Sequence, residues 1–238
     1  MAEKQKLKCS ACREEFEFDP NSDEQVIRSL NENFRPALKS NVEVKTYNNL
    51  YMTINIDDKI RIELIEEKHS QSIFDMVNEN RNHLRQWLPF VDRMQTVEFT
   101  KKLLNGNMQR NRDGIEYAFV IFNNDKMVGR IGVYKIDNQN SIGEIGYWII
   151  ENSQGNGIVS KCCKGLIDFC FNALKLNRIE IKCGTENFKS NAIPEKLNFT
   201  KEGVIRQGEL LYDKFIDLNL YSFLKVNRTY RKKQFSLK

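Results

Sequence analysis

The chemistry of this chain is written most clearly around two glycines. Gln154-Gly155-Asn156-Gly157-Ile158-Val159 stands between an apolar strand ending at Ile149-Ile150 and a segment, Ser160 to Leu174, whose apolar residues recur at helical spacing. A strand that turns through glycines into a helix leaves backbone N–H groups without partners at the positive end of the helix dipole, and such a turn binds phosphate. No side chain of the loop can hold two phosphates alone, so the main-chain donors from Gly155 to Ser160 are expected to do it. The other groups able to do chemistry are scattered. Glu144 lies in a central strand, Glu209 in a polar connection between two late strands, and Asn187 and Ser190 open a short helix. A turn glutamate is ordinarily solvated, and asparagine or serine at a helix start ordinarily caps it. The two histidines, His69 and His83, flank helical segments in the first half of the chain.

The elements that must position these groups follow from periodicity. Lys59 to Leu64 alternates polar and apolar residues as a half-buried strand does. Lys68 to Asn80 puts Ile73, Met76 and Val77 on one helical face, and Thr96 to Arg112 is expected to bury Phe99, Leu103 and Met108. Between them Pro89 must end or bend a helix, with Trp87 and Phe90 closing the core beneath. Tyr117 to Phe122, Lys126 to Ile136 and Ile142 to Ile150 form an antiparallel meander, divided by Asn123-Asn124-Asp125 and by Asp137 to Asn140. After the glycine loop a helix buries Val159, Cys162, Cys163, Leu166, Cys170 and Leu174, with Gly165 tolerable if the helix packs closely on the sheet. Arg178 to Cys183 alternates again, so strand, helix and strand make a right-handed parallel crossover. Asn187 to Leu197 is a short helix with a left-handed cap at Asn198, and Phe199 to Gln207 and Phe215 to Leu224 are two further strands.

Composition narrows the class. The chain has 238 residues, 40% hydrophobic and 29% charged, with a net charge of +5 spread among nearly as many acids as bases. That describes a soluble globular protein, expected in the cytoplasm, with no membrane association and no direct nucleic-acid partner. Six cysteines are too few and too irregular for a disulfide scaffold. Cys9 and Cys12 have the spacing of half a zinc site, but no second pair completes it, so no metal is expected. Residues 1–51 read as an N-terminal extension, 52–226 as the folded domain, and 227–238 as a basic tail.

The order of elements resembles the Gcn5-related N-acetyltransferase (GNAT) superfamily. Five strings, Asn82 to Asp92, Gly143 to Ile149, Gln154 to Ile158, Asn187 to Phe199 and Glu202-Gly203-Val204, resemble its RimJ/RimL branch, which acetylates the N-terminal amine of ribosomal proteins. The resemblance runs from about Ile60 to Lys225. It implies an α/β fold with a mixed central sheet, an antiparallel meander and a parallel strand pair around the cofactor, and it implies acetyl-CoA as co-substrate. Its pyrophosphate would lie on Gln154, Gly155, Asn156, Gly157, Ile158, Val159 and Ser160, and its pantetheine arm along Trp148, Ile149 and Ile150. By the same resemblance Asn187 bonds the cofactor arm, Ser190 places its hydroxyl near the sulfur, and Glu209 is the general base, with Glu144 the rival. The acceptor implied is a protein N-terminus. A small amine such as a polyamine, an antibiotic or an amino acid stays open, as do a non-catalytic coenzyme-A-binding module and a homodimer. Asn198 and Gly165 depart from the branch pattern without touching the chemistry.

Overall fold

Alternating residues lay down one broad sheet. The computed structural model describes residues 52–227, with the backbone of Tyr51 and of three short strands before it. Cys9, Cys12 and the tail after Asn227 lie outside the described residues. The strands are β1 (Gln5–Lys8), β2 (Glu15–Phe18), β3 (Val44–Tyr47), β4 (Tyr51–Asn55), β5 (Ile60–Leu64), β6 (Tyr117–Asn123), β7 (Lys126–Asp137), β8 (Ile142–Ile149), β9 (Arg178–Gly184), β10 (Thr200–Leu211) and β11 (Lys214–Leu224). β1 and β2 pair as a hairpin, and the rest form one sheet in the order β10-β11-β9-β8-β7-β6-β5-β4-β3. Within it only β8 and β9 run parallel, as the crossover demands.

Local chemistry explains the joints. Asn124 and Asp125 both take left-handed φ, 47° and 62°, which gives the two-residue turn between β6 and β7 the twist a hairpin needs. Asp57 turns β4 into β5 by accepting the N–H groups of Lys59 and Ile60 at 3.0 and 2.8 Å. β4 is an addition to the sequence reading; its Ile54 is fully buried. Asn198 adopts φ 62° after the short helix, the left-handed cap expected of it.

Helices cover both faces. On one side lie α1 (Ser70–Glu79), the single turn α2 (Arg81–Leu84) and α3 (Val97–Arg112), over a core that includes Ile73, Val77, Leu104 and Val120. On the other lie α4 (Ile158–Asn172) and α5 (Phe188–Lys196), over Ile62, Phe119, Ile131, Cys163, Leu166 and Ile181. The face expected of α3 is corrected at one residue: Leu103 and Met108 pack partly buried against the first of these cores, but Phe99 is exposed, and the fully buried positions are Thr100, Leu104 and Asn107. A polar demand turns the helix. Asn107 Nδ2 donates to Glu116 and its Oδ1 accepts from the buried Arg130 guanidinium, so this network rather than the apolar count sets the rotation. β10 is also longer than expected. A register shift between Ile205 and Glu209, with Gln207 at φ 51°, lets the strand resume, and Glu209 lies within it opposite Ile216 rather than in a loop.

Gly165 faces the sheet at the closest point of α4, where an added Cβ would stand 2.4 Å from Ile56 Cδ1 and 3.7 Å from Ile54 Cγ2. The side chain of Ile56 can swing, so Gly165→Ala should stay within about 1 kcal/mol of wild type, its helix preference offsetting the crowding. Gly165→Leu should lose about 1–3 kcal/mol in urea unfolding through overpacking. A leucine variant as stable as wild type would show that α4 does not sit this close.

Candidate active site

A gap in the sheet is the starting point. β8 and β9 pair only from Ile142 to Glu144 against Arg178 to Glu180, after which β8 continues along β7 and β9 continues along β11. The Ile150 N–H donates to Val128 O at 2.9 Å, and Gly129 lies opposite Ile149. Antiparallel alternation therefore commits the amides of Trp148 and Ile150 to β7 and turns those of Tyr147 and Ile149 toward the gap. Of the three residues expected along the cofactor arm, Ile149 alone offers its N–H there, and Tyr147 joins it.

At the far end of β8 the chain makes a 3₁₀ turn at Glu151–Ser153 and enters the glycine loop. Gly155 and Gly157 take φ 78° and 71°, and Gly157 is the N-cap of α4 with no side-chain cap. Only from Lys161, whose N–H meets Gly157 O at 3.0 Å, do helical bonds begin, which leaves the N–H groups of Ile158, Val159 and Ser160 without helical partners. The side chains of Ile158 and Val159 are buried, so the core holds the loop while its amides stay free. Asn156 turns its side-chain amide back to Gln154 O at 3.2 Å. A Cβ at Gly155 or Gly157 would meet nothing within 4 Å, so the loop backbone is open to a ligand at both glycines.

Across the gap stands α5. Asn187 is its N-cap, accepting the Ser190 N–H at 3.2 Å, so the serine hydroxyl is not needed as a cap. Ser190 Oγ instead donates toward Cys183 Sγ at 3.2 Å and toward the Tyr147 hydroxyl at 3.5 Å. Tyr147 donates to Ser190 O at 3.0 Å, joining β8 to α5 over the opening. Burial holds the Tyr147 phenol well above its ordinary range, so it keeps its proton. Burial also raises the Cys183 thiol, against the hydroxyls of Ser190 and Tyr147, which pull it down. Asn191 fixes the helix. Its Nδ2 reaches Gly184 O and Asn187 O, both at 2.8 Å, and its Oδ1 accepts from Asn219 and Tyr221.

The two candidate bases differ in their company. Glu144 Oε2 lies 2.7 Å from Lys182 Nζ and 3.2 Å from Lys135 Nζ. The Glu209 carboxylate makes no hydrogen bond or ion pair among the described residues. Desolvation leads the rise of its pKa above the ordinary carboxylate value, the Glu144 charge adds to it, and Lys135 opposes it. Its cross-strand neighbour Ile216 and Trp87 both crowd Gly184, so Glu209 stands on the face covered by α1 to α3. The hairpin carrying it is tied to that layer, for the Tyr212 hydroxyl donates to Arg85 O at 2.5 Å. Tyr147, Lys182, Asn191 and Tyr212 carry no signal in the sequence that singles them out as site residues. His69 is buried away from the gap, its Nδ1 accepting the Glu66 N–H at 3.0 Å. Among the described residues no helix is long and apolar enough to cross a membrane, and no cluster of three or more metal-ligating side chains occurs.

Known proteins share this arrangement. The GNAT acetyltransferase domain family matches residues 59–200. The ribosomal-protein-serine acetyltransferase of Escherichia coli (strain K12) is 32% identical over 170 residues, covering 71% of this chain and 95% of that protein. A solved RimL ribosomal-protein α-N-acetyltransferase in complex with coenzyme A superposes with a TM-score of 0.70 at 28% identity, over 72% of this chain and 97% of that one. The microcin self-immunity acetyltransferase MccE, solved with acetyl-CoA and AMP, gives a TM-score of 0.70 at 27% identity, over 72% and 95%.

Two outcomes follow from the geometry. Gly157→Val forces a β-branched side chain into left-handed backbone, a strain of about 1–3 kcal/mol that displaces the loop amides, and should weaken coenzyme A at least about tenfold in calorimetry. A folded variant with unchanged affinity would remove the loop from the site. For Glu209 the sign is opposite to that of a salt-bridged acid: with its folded pKa raised, it favours the fold only while protonated, and that contribution is lost as pH rises through the folded pKa. Glu209 is exposed, so solvent screens the effect, and Glu209→Gln should be only slightly more stable than wild type at pH 7, the difference closing below the ordinary value of 4.5. Equal urea midpoints at pH 7 would mean the carboxylate is not desolvated.

Proposed function

The chain belongs to the GNAT acetyltransferase family, and from that premise we propose that it acetylates the N-terminal amine of a protein, ribosomal proteins being the acceptor class, with Glu209 as general base. It is an N-acetyltransferase with acetyl-CoA as co-substrate. The observation that carries the assignment of the base is the contrast between an uncommitted Glu209 carboxylate, whose pKa is raised above the ordinary value, and a Glu144 held by two lysines. The acceptor class rests on the likeness to the ribosomal-protein-serine acetyltransferase over nearly its whole length.

When bound, acetyl-CoA supplies an acyl group already activated as a thioester, so the protein needs no nucleophile of its own. The chain's residues then have four tasks. The free N–H groups of Ile158 to Ser160 hold the diphosphate, in the manner of any uncapped helix start. The Ile149 and Tyr147 amides, fixed by the register of β8, offer donors in the gap where an acyl carbonyl gains charge. Glu209 removes a proton from the acceptor ammonium, directly or through water, on the face bounded by Trp87 and the hairpin. Ser190 keeps a proton at Oγ for the departing sulfur, and Tyr147 and Asn187 hold it in place. The thiol of Cys183 is too buried and too weakly acidic to serve as a nucleophile.

The test joins acceptor and base. Peptides with free N-termini should exceed polyamines, amino acids and aminoglycosides in kcat/KM by more than about tenfold, and Glu209→Gln should lower kcat by about 100- to 10,000-fold while coenzyme A affinity holds. Ser190→Ala should cost less, since water can protonate a thiolate. A small amine that outruns every peptide would replace the acceptor class, a result the likeness to MccE makes worth including. Near-normal kcat in Glu209→Gln beside a collapse in Glu144→Gln would move the base to β8.

A further inference from the structure

Gln154 opens the glycine loop, yet its side chain is engaged on both sides. Its Oε1 accepts from the Lys189 ammonium at 2.8 Å, and its Nε2 lies 2.8 Å from His83 Nε2. An amide whose oxygen is taken by a cation presents only its NH2 to the other neighbour, so His83 accepts at Nε2 and carries its ring proton on Nδ1. Three elements that border the gap therefore meet at one side chain: the loop before α4, the short turn α2, and the first turn of α5.

Lys189 is the unsatisfied member. It is exposed, it has no carboxylate partner among the described residues, and its contact there is a neutral amide oxygen. An ammonium offers three donors, and one neutral acceptor leaves most of its charge uncompensated. That cation extends from α5 to the very loop whose amides at Ile158, Val159 and Ser160 lack partners. Two separate parts of the molecule thus direct donors toward the start of α4, the loop with its main-chain amides and α5 with an ammonium.

We propose that Lys189 is a diphosphate-binding residue. In the free protein its ammonium rests on Gln154 Oε1; with acetyl-CoA in the loop it exchanges that neutral oxygen for a diphosphate oxygen, and Gln154 keeps His83. The exchange is favourable because a diphosphate oxygen brings an opposite charge to the ammonium, where the amide oxygen brings only a dipole. The inference rests on acetyl-CoA as co-substrate and is independent of which amine is acetylated.

Lys189→Met keeps the aliphatic stem and removes the charge at an exposed site, and Lys189→Arg restores the charge. Binding is measured by calorimetry with coenzyme A and with 3′-dephospho-coenzyme A, beside turnover of S-acetylpantetheine, which has no phosphate. Lys189→Met should weaken both nucleotide ligands by about 10- to 100-fold, the loss expected of one hydrogen bond to a charged group. Lys189→Arg should recover most of that, and kcat/KM for S-acetylpantetheine should match wild type. Unchanged affinity for both ligands would overturn the proposal. A loss seen with coenzyme A but not with its dephospho form would assign Lys189 to the 3′-phosphate and overturn the diphosphate assignment. An equal loss with S-acetylpantetheine would mean that the substitution disturbs the gap itself, and would overturn it as well.

Discussion

The separation of β8 from β9 is the constraint on which this structure turns. Backbone donors in a sheet interior are normally paired, and an unpaired one costs as much as a lost hydrogen bond. Here a central strand pairs on its second side for only three residues, then leaves the amides of Tyr147 and Ile149 facing an opening. Solvent or ligand must satisfy them. A site placed at an interrupted ladder thus gains rigid, outward-facing donors without any catalytic side chain, and the strands on either side hold their positions to a fraction of an ångström.

Keeping the gap open requires supports that do not fill it. Asn191 takes a large part of that role: buried, with both its amide hydrogens and its oxygen in use, it ties α5 to the end of β9 and to β11. Tyr147 gives the second tie, from β8 to the same helix turn. On the opposite face the network of Asn107, Glu116, Arg110 and Arg130 pins α3 to β6 and β7. Polar contacts of this kind bring little net stability but fix one arrangement among the many that apolar packing alone would accept.

Sequence patterning carried the fold because each element announces itself locally. Alternation gave β5 and β9, helical spacing gave α1 and α4, and two glycines flanked by apolar runs gave the cofactor loop. What it misjudged were matters of tertiary contact. The rotation of α3 follows from Asn107 meeting Glu116 and Arg130, partners 9 and 23 residues away. The place of Glu209 follows from a bulge at Gln207, which no propensity at that position announces. Whether Asn187 or Ser190 caps α5 is decided by one turn of backbone, and it decides in turn which hydroxyl is free. The lysines that occupy Glu144 come from the far end of β7 and from β9, and could be recognised only once those strands lay side by side.

The row of thiols under α4 carries a further meaning. Cys162, Cys163, Cys170 and Cys183 are all reduced and buried, and burial pushes the Cys162 thiol up to about 12 and raises the others too. A thiol reacts as its thiolate, so each of these four is doubly silent, shielded from reagents and lacking the reactive form. Cys183, on β9, is covered by Ser190 of α5, whereas the three thiols on α4 become alkylatable only when that helix lifts from the sheet. The rate at which a mass tag arrives on them is therefore a clock for the opening of that layer, and a bound nucleotide that secures the start of α4 would slow the clock.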